Sequence, residues 1–401
     1  MNSNSWNTFL TNSHKLTKPA QAKKLISNTD IDEVKLLINH VLRGFLNKID
    51  IHIGLKVYIN NELRNDYTEK MVANPPKEHE SLEDWSYKIF GNQKFGMVLI
   101  GLEEYSNSFA EKAATIVHPL LKTAGLPLNG LSFLFFMGNY GFTPFGIHKE
   151  STGEDGILFH LGPENKQFYT WDDPKYNGIK HNTEVFHDVE EMLPKGKEYN
   201  LEPGDAMFIP HYVYHIANTS KFSLSFVLDY INPPKDRLEN ELIKETAEEA
   251  LEFKDEYATP FQLNASQYNL KEIIDFQSIQ KKIEIAFYRK IIGLKSNGGI
   301  QKKSNKIHVT IPQGENVSFK GKKIFPIYLV EQDSKTIIIF ARGHRIKVRN
   351  HPFLTQLIEN INNGESITFV SLRQQMEPLW DLIDIFSFIQ ELLNTEAIVV
   401  K

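Results

Sequence analysis

Two stretches of the chain concentrate side chains that can hold a metal ion. In GNYGFTPFGIHKE, residues 138–150, His148 and Glu150 stand two positions apart. On a strand that spacing sends both side chains to one face. In LEPGDAMFIPHYVYHIANTSKFSLSFVLDY, residues 201–230, a turn at Leu201–Asp205 leads into an apolar run ending at Pro210, and His215 follows five residues later. Two imidazoles and one carboxylate can occupy one face of an octahedron and leave positions free for an oxidant and a co-substrate, as in non-haem ferrous oxygenases. On its own, His148-Lys149-Glu150 reads first as a surface histidine beside a charged Lys–Glu pair. The downstream histidine is what makes His148, Glu150 and His215 candidate metal ligands and catalytic residues, with Glu154 and Asp155 as alternative carboxylates.

Composition narrows the chemistry further. The 401 residues include no cysteine, which removes disulfides, zinc–thiolate sites, iron–sulfur clusters and thiol nucleophiles together. Any metal must then sit on His, Asp, Glu or backbone oxygen. A formal net charge of -5 argues against a general electrostatic nucleic-acid binder. Hydrophobic residues at 41% and charged residues at 24% give enough apolar material for a sizeable core. The N-terminus MNSNSWNTFLTNSHKL lacks the basic and apolar regions of a signal peptide, and no run of about eighteen apolar residues occurs. A cytoplasmic protein without a membrane span is the expectation.

The elements that must position these side chains can be read from periodicity. Asp30 can cap a helix in which Val34, Leu36, Leu37, Val41, Leu42 and Phe45 recur at helical spacing. IHIGLKVYI at 51–59 alternates as a strand, Asn74–Leu82 reads as a loop, FGMVLIGL at 95–102 as a buried strand, and FAEKAATIVHPLLKTAGL at 109–126 as a helix ending near Gly125. From about 130 to 235 short apolar runs alternate with Gly, Pro, Asn and Asp, which points to an all-β sandwich or small barrel. GPEN at 162–165 is a turn, and Asp172–Leu201 an excursion outside the strands. Residues 236–293 switch to helix-forming composition, and Lys295–Lys306 (KSNGGIQKKSNK) has the make-up of a linker. Beyond it, KIFPIYLVE and KTIIIFARG read as strands, followed by helices around 351–362 and 379–393.

The two metal-site segments resemble the JmjC family of cupin-fold, 2-oxoglutarate-dependent oxygenases. That family's pattern is a Gly-rich approach to HxD/E, then L-x-P-G-D-x-x-x-x-P, then a histidine. The matching positions are His148, Glu150, Pro203, Gly204, Asp205, Pro210 and His215. The resemblance covers about 95–235 and departs at Glu150, where the ribosomal-oxygenase branch usually has Asp. It implies an α+β chain built on a double-stranded β-helix (the cupin/JmjC barrel), with Fe(II) and 2-oxoglutarate as cofactors. It also implies a cation for the distal carboxylate of the co-substrate. Lys166 in GPENKQFYTW matches best, followed by Phe168 and Trp171, while an exposed turn lysine is the alternative reading. Thr143, Asn218, Ser225, Ser223 and His160 are candidates to line the co-substrate site, with a satisfied core histidine the preferred reading of His160. His211 and Tyr214 can contact substrate or simply form the rim.

The order of modules is similar to ribosomal oxygenases. It implies an N-terminal α/β segment at 1–94 packing on the barrel, a catalytic barrel at 95–235, a helical and possible dimerisation region at 236–294, and a winged-helix-like domain at 305–401. The reaction implied is hydroxylation of a protein or peptide side chain by a homodimer, with release of succinate and CO2. The alternating Arg345, Lys347 and Arg349, beside Arg342 and His344, read first as a solvated strand face, and no nucleic acid is expected as direct substrate. Two other readings stay open: a hydroxylase of small precursor peptides whose C-terminal module reads a leader, and a non-catalytic cupin-fold binding protein.

Overall fold

The computed structural model describes residues 3–48, 54–177, 185–249, 274–312 and 317–401, with positions 260, 263, 264, 271 and 314 besides. Alternation of side chains along the strands organises its first three fifths. The strands are β1 (Ala20–Ala22), β2 (Leu55–Ile59), β3 (Glu62–Leu63), β4 (Phe95–Ile100), β5 (Leu131–Gly138), β6 (Gly141–Phe142), β7 (Glu154–Pro163), β8 (Lys166–Trp171), β9 (Lys197–Leu201), β10 (Ala206–Ile209), β11 (Tyr214–Thr219) and β12 (Ser223–Ile231). They form two antiparallel sheets, one in the order β1-β10-β7-β12-β5-β4-β2-β3 and one in the order β6-β11-β8-β9.

The run LSFLFFM shows why the larger sheet is apolar on both sides. Phe133, Phe135 and Met137 of β5 are buried in the main core, whereas Leu134 and Phe136 face a pocket shared with the smaller sheet. The helices Asn28–Leu46 and Asn107–Ala124 cover the core side. The first buries Ile31, Val34, Ile38, Val41, Leu42 and Phe45 along one stripe, which is the spacing of one helical face. It starts earlier than Asp30: Ser27 is the N-cap and Asp30 completes the capping box from the third helical position.

Two further differences have local causes. Part of the expected excursion at 172–201 is a sheet strand, because β9 pairs with β8; residues 178–184 of it lie outside the described residues. The expected linker is packed. The helix Phe276–Ser296 runs into it, and Ser296, Asn297, Ile300 and Ser304 are buried. The Leu131 N–H donates to the Gly299 carbonyl and the Gln301 N–H to the Leu131 carbonyl. Gly299, with φ of +89°, lets the chain turn there, and a Cβ would come within 2.7 Å of Leu121. A flexible composition was in fact a tight turn against β5.

The C-terminal part has its own core, centred on Leu357, Ile361, Leu372, Phe388 and Leu392. It contains a sheet of β13 (Ser318–Gly321), β17 (Ser366–Thr368) and β18 (Ile398–Val400), and another of β14 (Tyr328–Glu331), β15 (Thr336–Ala341) and β16 (His344–Arg349). Its helices are Leu354–Asn363, Phe369–Met376 and Leu382–Asn394; the middle one was not expected, being short and weakly periodic. The chain as a whole is α+β, the class read from its sequence. Among the described residues no helix is long and apolar enough to cross a membrane.

Candidate metal centre

β11 sets the geometry. His215 and Ala217 point from it into a cavity of about 390 Å³ between the two sheets. The segment carrying His148 lies against β11: the His215 N–H donates to the His148 carbonyl at 2.9 Å, and the His148 N–H to the His215 carbonyl at 3.2 Å. Glu150, two residues on, falls on the same side. One ligand atom from each of His148, Glu150 and His215 lies within 4.8 Å of the others. The closest approaches are His215 Nε2 to Glu150 Oε1 at 3.3 Å and His148 Nε2 to the same oxygen at 3.9 Å.

The protons on the two imidazoles follow from their other contacts. His148 Nδ1 lies 3.0 Å from the Gly146 carbonyl and His215 Nδ1 lies 3.1 Å from the Val213 carbonyl. A carbonyl oxygen only accepts, so each Nδ1 carries a hydrogen, and Nε2 of each ring is the atom turned inward to a metal. Backbone carbonyls orient metal-binding histidines in this way. Phe168 stacks on His215 with ring centroids 5.6 Å apart, and Phe145 meets His148 edge-on at 4.6 Å. Desolvation, and then the neighbouring His215, push His148 down to about 4, so it is neutral at physiological pH. For Glu150 the enclosure acts upward, but its closeness to His215, and then to His148, prevails and brings its pKa down to about 2. Two imidazole nitrogens and an ionised carboxylate oxygen are a donor set suited to a divalent first-row metal. Glu154 and Asp155 stand apart from this cluster, and Asp155 is engaged with His211 at 2.9 Å.

Lys166 lies in the same cavity. It is the first residue of β8, with no exposure to solvent. Its Nζ donates to Ser225 Oγ at 2.8 Å, and among the described residues no carboxylate pairs with it. Desolvation alone pulls its pKa down to about 7. A buried ammonium without a counter-ion is costly, and the site is chemically suited to an incoming anion. Ser225 bonds to Lys166 from behind the cavity lining, and His160 stands behind Ser225, its Nδ1 3.1 Å from Ser225 Oγ.

The other sequence-derived candidates divide. Thr143 lines the cavity, but its hydroxyl is spent on the β11 backbone, 3.2 Å from both the amide and the carbonyl of Ala217. Asn218 is a correction. It stands three positions after His215, an odd offset, so the strand's alternation turns it to the outer face, where it donates to Gln167 Oε1 at 2.8 Å. By the same alternation Tyr214 packs outside, against Phe186. Ser223 is buried but does not line the cavity.

Among the cavity residues that the sequence reading did not single out are Lys56, Tyr140 and Asp229. Asp229 shares a face of β12 with Ser225, so strand parity was a usable signal for it. Its burial, followed by the charges of Glu150, Glu154 and Glu103, raises its pKa well above the usual carboxylate range. Lys56 gave no signal, because it enters the cavity wall only through the pairing of β2 with β4.

The fold is that of known structures along the whole chain. It superimposes on YcfD, a ribosomal oxygenase from Escherichia coli, with a TM-score of 0.54 at 12% identity, covering 99% of this chain and 98% of that one. The same protein in complex with cobalt and 2-oxoglutarate matches with a TM-score of 0.54 at 11% identity, over 99% and 98% of the two chains. No protein-family model and no curated protein sequence matches.

Proposed function

We propose that this chain, with the fold of a ribosomal oxygenase, is an Fe(II)- and 2-oxoglutarate-dependent dioxygenase that hydroxylates a protein or peptide side chain and releases succinate and CO2. The observation that carries the reading is the convergence of His148, Glu150 and His215, with both imidazole Nε2 atoms directed toward one carboxylate oxygen. The donor set fits a ferrous ion, and the buried Lys166 fits one end of a dicarboxylate. YcfD has been observed with cobalt and 2-oxoglutarate, which supports the same pairing of metal and co-substrate here. We read the two facing sheets as the double-stranded β-helix of the cupin fold, and the C-terminal part as its winged-helix-like companion.

The chain's own residues would divide the work as follows. His148, Glu150 and His215 hold the metal on one side and leave the cavity side open. Lys166, hydrogen-bonded to Ser225, binds the distal carboxylate and so orients the co-substrate. Phe145 and Phe168 keep the imidazoles from turning, and the apolar walls from Leu134, Phe136, Leu158 and Val227 exclude water. Iron, once bound with 2-oxoglutarate and O2, supplies the oxidative chemistry.

The convergence of the three ligands and the place of Lys166 on the cavity wall favour this reading over a non-catalytic binding protein. We further propose a homodimer through the helices Lys235–Glu249 and Phe276–Ser296, which leave Ile243, Phe276, Ile279 and Tyr288 exposed. The decisive experiment measures succinate formed from 2-oxoglutarate with ferrous iron. The wild type is expected to turn over slowly without substrate, and His148→Ala to lose this activity. Equal background in both proteins sinks the oxygenase reading.

A further inference from the structure

We propose that His160 is a positioning residue for the anion site: it takes the Ser225 hydroxyl proton, so that Ser225 meets Lys166 purely as an acceptor and the ammonium keeps its other N–H bonds for a carboxylate. The proposal rests on the reading of this cavity as the 2-oxoglutarate site.

The wiring follows from counting protons. His160 lies on β7 with no solvent exposure. Its Nε2 is 2.6 Å from the Glu164 carbonyl and its Nδ1 is 3.1 Å from Ser225 Oγ. The carbonyl can only accept, so Nε2 carries a hydrogen. A second hydrogen on Nδ1 would place another cation beside the buried Lys166. Burial, and next the charge of Lys166, hold the ring neutral, with its pKa down at about 3. Nδ1 therefore offers a lone pair, and Ser225 must give its single proton there. The Lys166 Nζ, 2.8 Å from the same oxygen, can then only donate to it.

Every link consequently points one way, from Lys166 to Ser225 to His160 to the Glu164 carbonyl, and links so aligned polarise one another. Sheet register enforces the alignment, since Ser225 of β12 pairs directly with His160 of β7. Without the imidazole acceptor the Ser225 proton could turn toward the ammonium and spoil the contact. A histidine that the sequence presents as core filling is thereby tied to the anion site.

The test uses the metal-loaded full chain and 2-oxoglutarate binding by calorimetry without O2. His160→Phe is expected to weaken binding about tenfold, the scale of one hydrogen bond to a charged group. His160→Asn, whose side-chain oxygen can replace Nδ1 as acceptor, should recover most of the loss. In a Ser225→Ala background His160→Phe should cost nothing more. Nitrogen-15 NMR, with the His160 signal assigned through the Asn variant, should find Nε2 protonated and Nδ1 bare. Equal losses in the Phe and Asn variants, additive losses with Ser225→Ala, or a protonated Nδ1 each overturn the proposal. If the phenylalanine variant does not fold, the NMR signature still decides. A wild type that binds no 2-oxoglutarate refutes the reading of the cavity and, with it, the proposed role of His160.

Discussion

At the scale of single residues, charge and burial set the expected behaviour. Lys166 has a pKa near 7 in the free cavity, and a bound carboxylate restores its charge. Binding above that pH must therefore take up a proton, and affinity for 2-oxoglutarate should fall about tenfold per pH unit there. Calorimetry in buffers of different ionisation enthalpy measures the proton directly; affinity that stays flat from about pH 7 to about pH 9 would contradict it. Asp229 works in the opposite sense. Its pKa is raised on folding, so it weakens the native state increasingly as pH climbs above the ordinary aspartate range. Asp229→Asn should stabilise the protein by roughly 1 kcal/mol at neutral pH and by less in acid, as read from denaturant midpoints. At this scale the sequence was most legible where spacing alone fixed direction. His148 and Glu150 share a face whatever surrounds them, and the Pro210-to-His215 step marks the third ligand. Asn218 misled because a polar residue near a ligand was taken as inward without counting strand parity. The partners of His160 were out of reach, because they depend on the register of β7 against β12.

At the scale of elements, backbone constraints explain both the successes and the misses. Long periodic helices and apolar strands were read within a few residues, since one buried stripe per helix or two buried faces per strand leave a plain pattern. Where a segment is held mainly by backbone contacts, composition misdirects. Lys295–Lys306 looked like a linker because Gly298, Gly299 and the lysines carry no packing signal, yet Ile300 bridges to Leu131. Gly153 is a comparable point between Glu150 and β7. It has φ of +86°, and an added Cβ would collide with the Asn232 carbonyl oxygen. Gly153→Ala should destabilise the protein by about 2 kcal/mol or more. It should also weaken divalent metal binding by shifting the start of β7 relative to Glu150. Thermal denaturation and metal titration of the same variant check both halves. Unchanged metal affinity would mean that Glu150 is positioned independently of β7.

At the scale of the molecule, the contact between the two parts of the chain carries an unusual charge. Arg342, at the turn between β15 and β16, is fully buried, and among the described residues none of its guanidinium nitrogens has a hydrogen-bond partner. It lies over the Phe325 ring at 3.5 Å, and Phe325 belongs to the core of the first part. Replacing such a cation by an apolar side chain of similar length removes a desolvation cost. The charge of Glu396 also acts on Arg342, against its burial. Arg342→Met should leave stability unchanged or raise it by roughly 1–4 kcal/mol, and a clear loss in chemical denaturation would show that attraction to Phe325 and Glu396 outweighs burial. The basic cluster read from sequence thus splits: Arg342 and His344 are interior, while Arg345 and Arg349 engage Glu245 and Asp384. Only tertiary packing could reveal that division. The reciprocal backbone hydrogen bonds between His148 and His215 have a consequence for the whole fold. They hold together, at one point, pieces of chain that are far apart in order, and a cation gripped there would act as a removable rivet. Chelation should then loosen the rim between Gly146 and Gly153 before any strand melts, and hydrogen exchange should register that fraying as the earliest sign of metal loss.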